Sequence, residues 1–284
     1  MVWDGNGPPP GAEDLTRVEL YVMPYTFEPM SGEVIGRMPR LRIVQTLTAG
    51  IEHVIPFLRE GITLCNARGV HDASTAELAV TLTLASLRGL PDFVRAQDRA
   101  EWVHAERPSL ADKTVLIVGY GSIGAAVESR LRPFECDVLR VARQARDGVA
   151  GFDNLLPLVG EADVVVLTVP LTDQTRGLVD ATFLARMHDG AVLVNVSRGA
   201  VVDTDALLTE LSTGRLMAAL DVTDPEPPPT DHPLWSAPGL VLTPHVGGNT
   251  SAFRPRAIRL VIEQLERYAR GGPLVNVVLG GPAA

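Results

Sequence analysis

The chain of 284 residues is 46% apolar and 21% charged, which suits one large or two ordinary domains with a substantial core and excludes wholesale disorder. Acids outnumber bases 34 to 25, for a net charge of −9, so the surface repels phosphate backbones and no nucleic-acid partner is expected. Two cysteines, Cys65 and Cys136, build no disulfide framework, no apolar run approaches the roughly 18 residues of a membrane span, and Met1 to Gly5 lacks the basic and apolar regions of a signal peptide. We therefore expect a cytoplasmic protein with no membrane partner.

Short apolar runs alternate with helical patterns along most of the chain, the signature of parallel sheets with crossover helices. The expected strands are 18–22, 41–47, 114–118, 137–141, 163–169, 191–196, 216–221 and 239–243. The segment 74–88 opens with Ser74 and Glu77 at capping-box spacing. The segment 256–270 carries Ile258, Val261, Ile262, Leu265 and Tyr268 on one face and stops at Gly271 and Gly272. Two stretches read as loops, Gly5 to Gly11 with three prolines and Asp224 to Pro233 with five. The domain joint is expected near Arg88 to Pro91, and the last helix returns to the first domain. The expected division is therefore 1–90 plus 255–284 for a substrate-binding domain and 91–254 for a dinucleotide-binding one.

Residues 114–118 form an apolar strand running into Gly119, Gly121 and Gly124 and then a helix. Three glycines at this spacing mean little alone, but a strand before them and a helix after them make a dinucleotide loop. Gly119 permits the tight turn, Gly121 lets a pyrophosphate approach the backbone, and Gly124 lets helix and strand pack closely. The helix N-terminus supplies N–H donors for the phosphates. The next strand ends at Ala142, Arg143 and Arg146, where an acid would hold the ribose 2′-hydroxyl of NAD. Arg143 and Arg146 suit a 2′-phosphate, so NADP(H) is expected over NAD(H), which remains possible. The bland alternative is a pair of solvated surface arginines.

Three polar clusters fall at later strand ends, where ligands of open parallel sheets bind. They are Ser197 to Gly199, Asp221 to Pro227, and Pro244 to Gly248. An arginine, a carboxylate and a histidine in these places suit hydride transfer to a 2-oxo acid. Arg198 would bind the substrate carboxylate and polarise the carbonyl, and His245 would exchange the proton. Glu226 would orient the His245 ring and favour its proton-carrying form. Asp221 is a candidate acceptor for the nicotinamide amide. Taken singly, each reads as an ordinary surface or loop residue.

With these residues in view, the chain resembles the D-2-hydroxyacid dehydrogenase family. The matching stretches are Gly119–Gly124, Val169–Thr175, Asn195–Gly199, Asp221–Pro227 and Thr243–Gly248, in the family's order and spacing, with weaker similarity over about 40 to 278. The resemblance implies two Rossmann-like or flavodoxin-like α/β domains with parallel sheets and an active site in the cleft between them. It implies Arg198, Glu226 and His245 as the catalytic set. It also implies cofactor contacts from Ser122, Ile123, Val169, Pro170, Thr175, Val196, Arg198, Asp221, His245, Gly247 and Thr75. The loop Leu47 to Ile51 would face the substrate carboxylate through the backbone of Ala49, Gly50 and Ile51, and no metal is called for. A homodimer through the cofactor domain, around 90–110, is implied as well.

Two departures stand out. The family's acid after the second strand is replaced by Ala142 and Arg143, as in relatives that prefer NADPH. The glycine loop also comes early, with Val2, Trp3 and Asp4 as a remnant of a first strand. Arg68 and His71 lie in a loop that either reaches the substrate or stays at the surface, and Trp235 either packs or lines the pocket. The expected activity is reduction of a small 2-oxo acid, glyoxylate or hydroxypyruvate first, to the D-2-hydroxy acid. Two alternatives are a dinucleotide-sensing, corepressor-like binding protein and a phosphite-type dehydrogenase. A lysine near the substrate loop would favour phosphite, and residues 44–70 contain none. Formate enzymes carry glutamine where Glu226 stands.

Overall fold

A computed structural model describes residues 3, 8–26 and 30–280. Val2 and Asp4 of the expected strand remnant, and residues 5–7 of the first loop, lie outside the described residues. The chain divides into two compact units, residues 1–71 with 251–284 and residues 72–250.

The first unit is built on a four-stranded sheet in the order β1-β2-β3-β10. β1 (Leu20–Val22), β2 (Ile43–Gln45) and β3 (Thr63–Cys65) are parallel. β10 (Val277–Leu279) joins β3 antiparallel, so this sheet is mixed where a purely parallel one was expected. β3 and β10 were not expected at all. Each is only three residues long, too short to show a period. One core gathers Leu15, Tyr21, Ile35, Val44 and Leu64, with Trp3 packed at its edge.

The second unit holds a six-stranded parallel sheet in the order β5-β4-β6-β7-β8-β9. Its strands are β4 (Thr114–Val118), β5 (Asp137–Val141), β6 (Val164–Leu167), β7 (Val192–Asn195), β8 (Met217–Leu220) and β9 (Leu240–Leu242). β4, β6 and β7 are apolar on both faces because helices cover both faces of a parallel sheet. β4 lies between β5 and β6. Connections leave it in opposite directions there, which is where open α/β sheets bind ligands.

The helix Asp72–Leu87 packs Ala76, Ala79 and Leu82 against Val115, Ile117 and Val127. It therefore belongs with the second sheet, and the division expected at residue 90 falls at 71/72. The return crossing falls at 250/251, not 254/255. The expected capping box does not form. The helix begins at Asp72, and Ser74 Oγ instead shares a hydrogen bond with Thr250 Oγ1 at 2.7 Å.

The helix Phe253–Ala269 belongs to the first unit but turns a different face inward from the one expected. Ala257, Leu260 and Gln264 are buried, while Ile258, Ile262 and Leu265 are exposed. A buried amide sets this rotation. Gln264 Nε2 donates to Gln45 Oε1 (2.7 Å) and to the Val275 carbonyl (2.9 Å), and Gln264 Oε1 accepts from the Val275 N–H. With both ends of the amide paired, its burial leaves no unsatisfied polar group, and these long-range bonds hold the helix with that face inward.

Candidate active site

The glycine loop leaves β4 at the point where the connections diverge. Gly119 sits at φ +103°, and a Cβ there would fall 2.7 Å from the backbone of Thr168 and Val169. A Cβ on Gly124 would fall 2.9 Å from the Gly119 carbonyl. These two glycines are thus required by the protein's own packing. At Gly121 a Cβ would meet nothing within 4 Å. The helix Ser122–Leu131 that follows has no side-chain cap, so its first N–H groups have no side-chain acceptor at the cap. Gly121 is exposed, with Ser122 and Ile123 half-buried beside it. An open glycine ahead of an uncapped helix fits a dinucleotide pyrophosphate.

Beyond β6, Val169 is buried against this loop and Pro170 is exposed. Thr175 is buried, and its hydroxyl donates to the Pro170 carbonyl at 2.6 Å and accepts from the Thr172 N–H at 2.8 Å. The side chain expected to reach a cofactor therefore braces its own turn. Val196 and Thr75 are also buried.

At the end of β5, Ala142 is buried and Arg143 exposed. Arg146 does not extend freely. Its Nη2 donates to the Tyr120 carbonyl at 2.5 Å, and its guanidinium lies 5.7 Å from the Tyr120 ring centroid. Tyr120 in turn donates its hydroxyl to Glu128, which Arg140 grips through Nε (2.7 Å) and Nη2 (2.5 Å). Arg140's hydrogen bonds, helped by those of Tyr120 and Arg132, overcome burial and hold the Glu128 carboxyl at about 2. Sequence reasoning missed this network. The available signal was an acid on the helix face that also presents Gly124, Val127 and Leu131 to the core.

The ends of β7, β8 and β9 carry the other polar clusters. Buried Asn195 shapes the turn that presents Arg198. Its Oδ1 accepts from the Ser197 N–H and hydroxyl, and its Nδ2 donates to the Arg198 carbonyl. Gly199 lies so close to the next loop that a Cβ would fall 1.8 Å from the Thr223 carbonyl oxygen. His245 has φ +53°, a conformation a non-glycine residue holds only when its surroundings enforce it. Asp221 does so. The Asp221 carbonyl accepts from the His245 N–H at 2.8 Å, and its carboxylate accepts from Thr243 Oγ1 (2.6 Å) and the N–H groups of Val246 and Gly247 (2.9 Å each). Asp221 is 2% exposed. The acid expected to meet a nicotinamide amide thus has both oxygens engaged in fixing the histidine loop. Gly247 closes against Asp221, Thr75 and Leu78.

His245 Nδ1 lies 2.5 Å from Glu226 Oε1. Burial alone would raise the Glu226 carboxyl, but the His245 hydrogen bond and charge, the Thr223 N–H and the Arg198 guanidinium together hold it below the usual range. An ionised carboxylate can only accept, so Nδ1 carries the proton of that bond and Nε2 is the nitrogen whose protonation can change. Acid–base chemistry at Nε2, with a guanidinium whose field reaches Glu226, is what this arrangement can perform.

In the first unit, the loop after β2 turns its carbonyls into the chain. Leu47 accepts from His71 Nε2, Thr48 from Thr46 Oγ1 and the Ala67 N–H, Ala49 from Asn66 Nδ2, and Gly50 from Thr48 Oγ1, all at 2.7–2.9 Å. Among the described residues, the N–H groups of Ala49, Gly50 and Ile51 donate to none of the chain's own acceptors.

The model of the NAD binding domain of D-isomer specific 2-hydroxyacid dehydrogenases matches residues 80–247, more than half of the chain. The chain belongs to the D-isomer specific 2-hydroxyacid dehydrogenase family. It is 35% identical over 249 residues to the human glyoxylate reductase/hydroxypyruvate reductase, covering 82% of this chain and 76% of the human protein. It is 33% identical over 293 residues to the glyoxylate reductase of Korarchaeum cryptofilum, covering 98% and 88% of the two chains. Among solved structures, the NADPH-dependent glyoxylate/hydroxypyruvate reductase of Sinorhizobium meliloti, in complex with NADP and sulfate, is similar with a TM-score of 0.82 at 28% identity. That match covers 93% of this chain and 86% of the other.

This dehydrogenase is thus an NAD(P)-dependent 2-hydroxyacid oxidoreductase acting on a small acid. Within its second unit, the chain brings Arg198, Glu226 and His245 to neighbouring strand ends. It commits Thr175 and Asp221 to internal structure. Asn195, which sequence reasoning left without a role, fixes the arginine turn. A polar residue ending an otherwise apolar strand was its signal.

Proposed function

We propose that this dehydrogenase reduces a small 2-oxo acid to the D-2-hydroxy acid with NADPH in preference to NADH. The observation that carries the reading is the His245–Glu226 pair at 2.5 Å, with the Arg198 charge felt at Glu226. Arg198 binds the substrate carboxylate and draws electron density toward the carbonyl oxygen. His245 delivers a proton from Nε2 to that oxygen, and in the reverse direction receives it. Glu226 stays ionised, holds Nδ1–H, and balances the charge of the protonated ring. A bound reduced nicotinamide supplies the hydride. Gly121 and the first N–H groups of the uncapped helix, at Ser122 and Ile123, would hold its pyrophosphate, while Gly119 and Gly124 let the loop pack closely enough to present them. The N–H groups of Ala49, Gly50 and Ile51 are donors of the kind a carboxylate accepts from.

The NADPH preference is supported by Ala142, which puts no carboxylate at the end of β5, and by the exposed guanidinium of Arg143. Arg146 supports it less, since it is tied to Tyr120. A homodimer through the cofactor domain is supported by exposed Leu90, Val94, Trp102 and Val103, which leave an apolar surface along 90–103. Two unbonded thiols support a cytoplasmic site of action. Among the described residues no helix is long and apolar enough to cross a membrane.

Initial rates with NADPH and NADH separately, against glyoxylate, hydroxypyruvate, pyruvate and phenylpyruvate, test the reading. Turnover of at least one acid, faster with NADPH, is the expected result. NADPH binding without turnover of any acid would replace it with a dinucleotide sensor.

A further inference from the structure

The helix Phe253–Ala269 of the first unit carries two apolar faces, and the fold of that unit uses one. Its inward face holds Ala257, Leu260 and Gln264, with Phe253 beside them against Ala67 and Val70. Outward lie Pro255, Ile258, Ile262, Leu265 and Ala269, all exposed. Three of these are the residues whose spacing predicts a buried face. Steps of three, four, three and four residues along this set are those of the a and d positions of a coiled-coil seam. Ile258 and Ile262 are each 52% exposed and Leu265 45%. Single exposed aliphatic side chains are ordinary. A continuous stripe of them, on a helix already apolar on its other side, is the pattern of a helix covered on both sides.

The charges flanking the seam say what covers it. At the e positions on one side stand Arg259 and Glu266, both exposed. Glu266 meets Arg270 at 3.5 Å and Glu263 meets Arg267 at 2.8 Å, whereas Arg259 makes no ion pair among the described residues. At the g positions on the other side are Arg254, Val261 and Tyr268. In a parallel pair of such helices e faces g, which would set Arg259 against a second Arg254 and Glu266 against a second Val261. In an antiparallel pair e faces e, so Arg259 of each copy meets Glu266 of the other, and two-fold symmetry makes the contact twice. A membrane surface fits less well. It asks for a basic polar face, and here Glu263 and Glu266 stand among the arginines of a chain with net charge −9.

We propose that the outward face of the helix Phe253–Ala269 is a two-fold interface with a second copy of this chain. The two helices run antiparallel, with Ile258, Ile262 and Leu265 in the seam and Arg259 paired to Glu266 across it. This surface belongs to the first unit, and the apolar surface along 90–103 belongs to the second. The two are independent, and a chain that uses both assembles beyond the dimer. Nothing in the interface depends on which acid the protein reduces.

The test is the mass of the full chain by light scattering over a dilution series. It compares the wild type with Ile262→Asp, Arg259→Glu, Glu266→Arg and the double variant Arg259→Glu/Glu266→Arg. All four replace exposed residues, so Tm should stay within a few degrees of the wild type. Ile262→Asp should lower the mass about twofold at concentrations where the wild type is fully associated. Each single charge reversal sets like charges together twice and should raise the dissociation constant about tenfold. The double variant restores opposite charges and should return that constant to within about threefold of the wild type. A mass that Ile262→Asp leaves unchanged would overturn the proposal, whether it is that of a monomer or of a dimer held by the second unit. So would a double variant that associates no better than the single ones, which would assign the face to some other partner. If Ile262→Asp unfolds the chain, the charge series alone decides, and single reversals that leave the wild-type mass and dissociation constant unchanged overturn the pairing.

Discussion

The strand ends of the second unit are built to two different tolerances. At β7, β8 and β9 every functional group is braced. Asn195 holds the Arg198 turn, Gly199 lies against Thr223, and Asp221 holds the backbone of the His245 loop. At β5 the segment after Ala142 runs exposed from Arg143 to Gly148, and only Arg146 is tied down, by its side chain to the Tyr120 carbonyl and by its backbone to Val149. The difference matches the roles proposed for the two ends. Proton and hydride transfer need groups positioned to fractions of an ångström. Attraction of a phosphate needs only charge of the right sign nearby.

The largest effect should come from breaking the braced end at its reactive atom. His245→Asn removes Nε2 as a proton carrier, so kcat for the 2-oxo acid should fall by about 10²–10⁴-fold. Binding of NADPH, followed by its fluorescence, should change no more than a few-fold. An unchanged kcat would mean that the proton comes from another group.

Two glycines sharpen the comparison. In Gly199→Ala the new methyl group would collide with the Thr223 backbone at 1.8 Å. Backbone cannot move aside as a flexible side chain does, so the loops bearing Arg198 and Glu226 must separate. A loss of about 1–3 kcal/mol is expected, with a fall of several degrees in Tm and a lower kcat. Gly121→Ala meets nothing of the chain within 4 Å, so Tm should stay within a degree or two while dinucleotide affinity falls. A lowered Tm in Gly121→Ala with unaltered affinity would show that this glycine serves packing and not a pyrophosphate.

How much of this was legible in the sequence depended on distance along the chain. β4 and β5 begin and end at the bounds expected for them, β4 because a buried parallel strand states its limits in its own apolar residues, and β5 although as an edge strand it carries Asp137 and Arg140. β10 pairs with β3 from the far end of the chain, and nothing near either segment announces the other. The helix Phe253–Ala269 was misread by face for the same reason. Its orientation is set by Gln264 meeting Gln45, 219 residues away. The site divides along similar lines. His245 and Glu226 could be paired from their order at neighbouring strand ends. Asp221 showed itself as an acid at a strand end, but its carboxylate turns to N–H groups of a loop that the sequence cannot orient. His71 was visible as a residue, whereas its burial against Tyr25 and Phe253 is a property of packing alone.

The smallest effects should come from the loose end, and they separate its two arginines. Ala142→Asp places a carboxylate where a 2′-phosphate would lie, and should move the NADPH:NADH ratio of kcat/KM toward NADH by about tenfold or more, since each factor of ten needs only about 1.4 kcal/mol. Arg143→Ala should lower the same ratio less, by losing one exposed charge. Because that charge is solvent-exposed, its contribution should shrink as salt rises and the screening length shortens. Arg146→Ala should behave differently. Its guanidinium is bonded to the carbonyl of Tyr120, inside the glycine loop, so its loss loosens the cradle that serves both nicotinamides. Affinity for NADPH and NADH should then weaken together, leaving the ratio nearly constant and insensitive to salt. A ratio that collapses in Arg146→Ala but not in Arg143→Ala would reverse the two roles, making the tethered arginine the phosphate ligand and the exposed one a bystander.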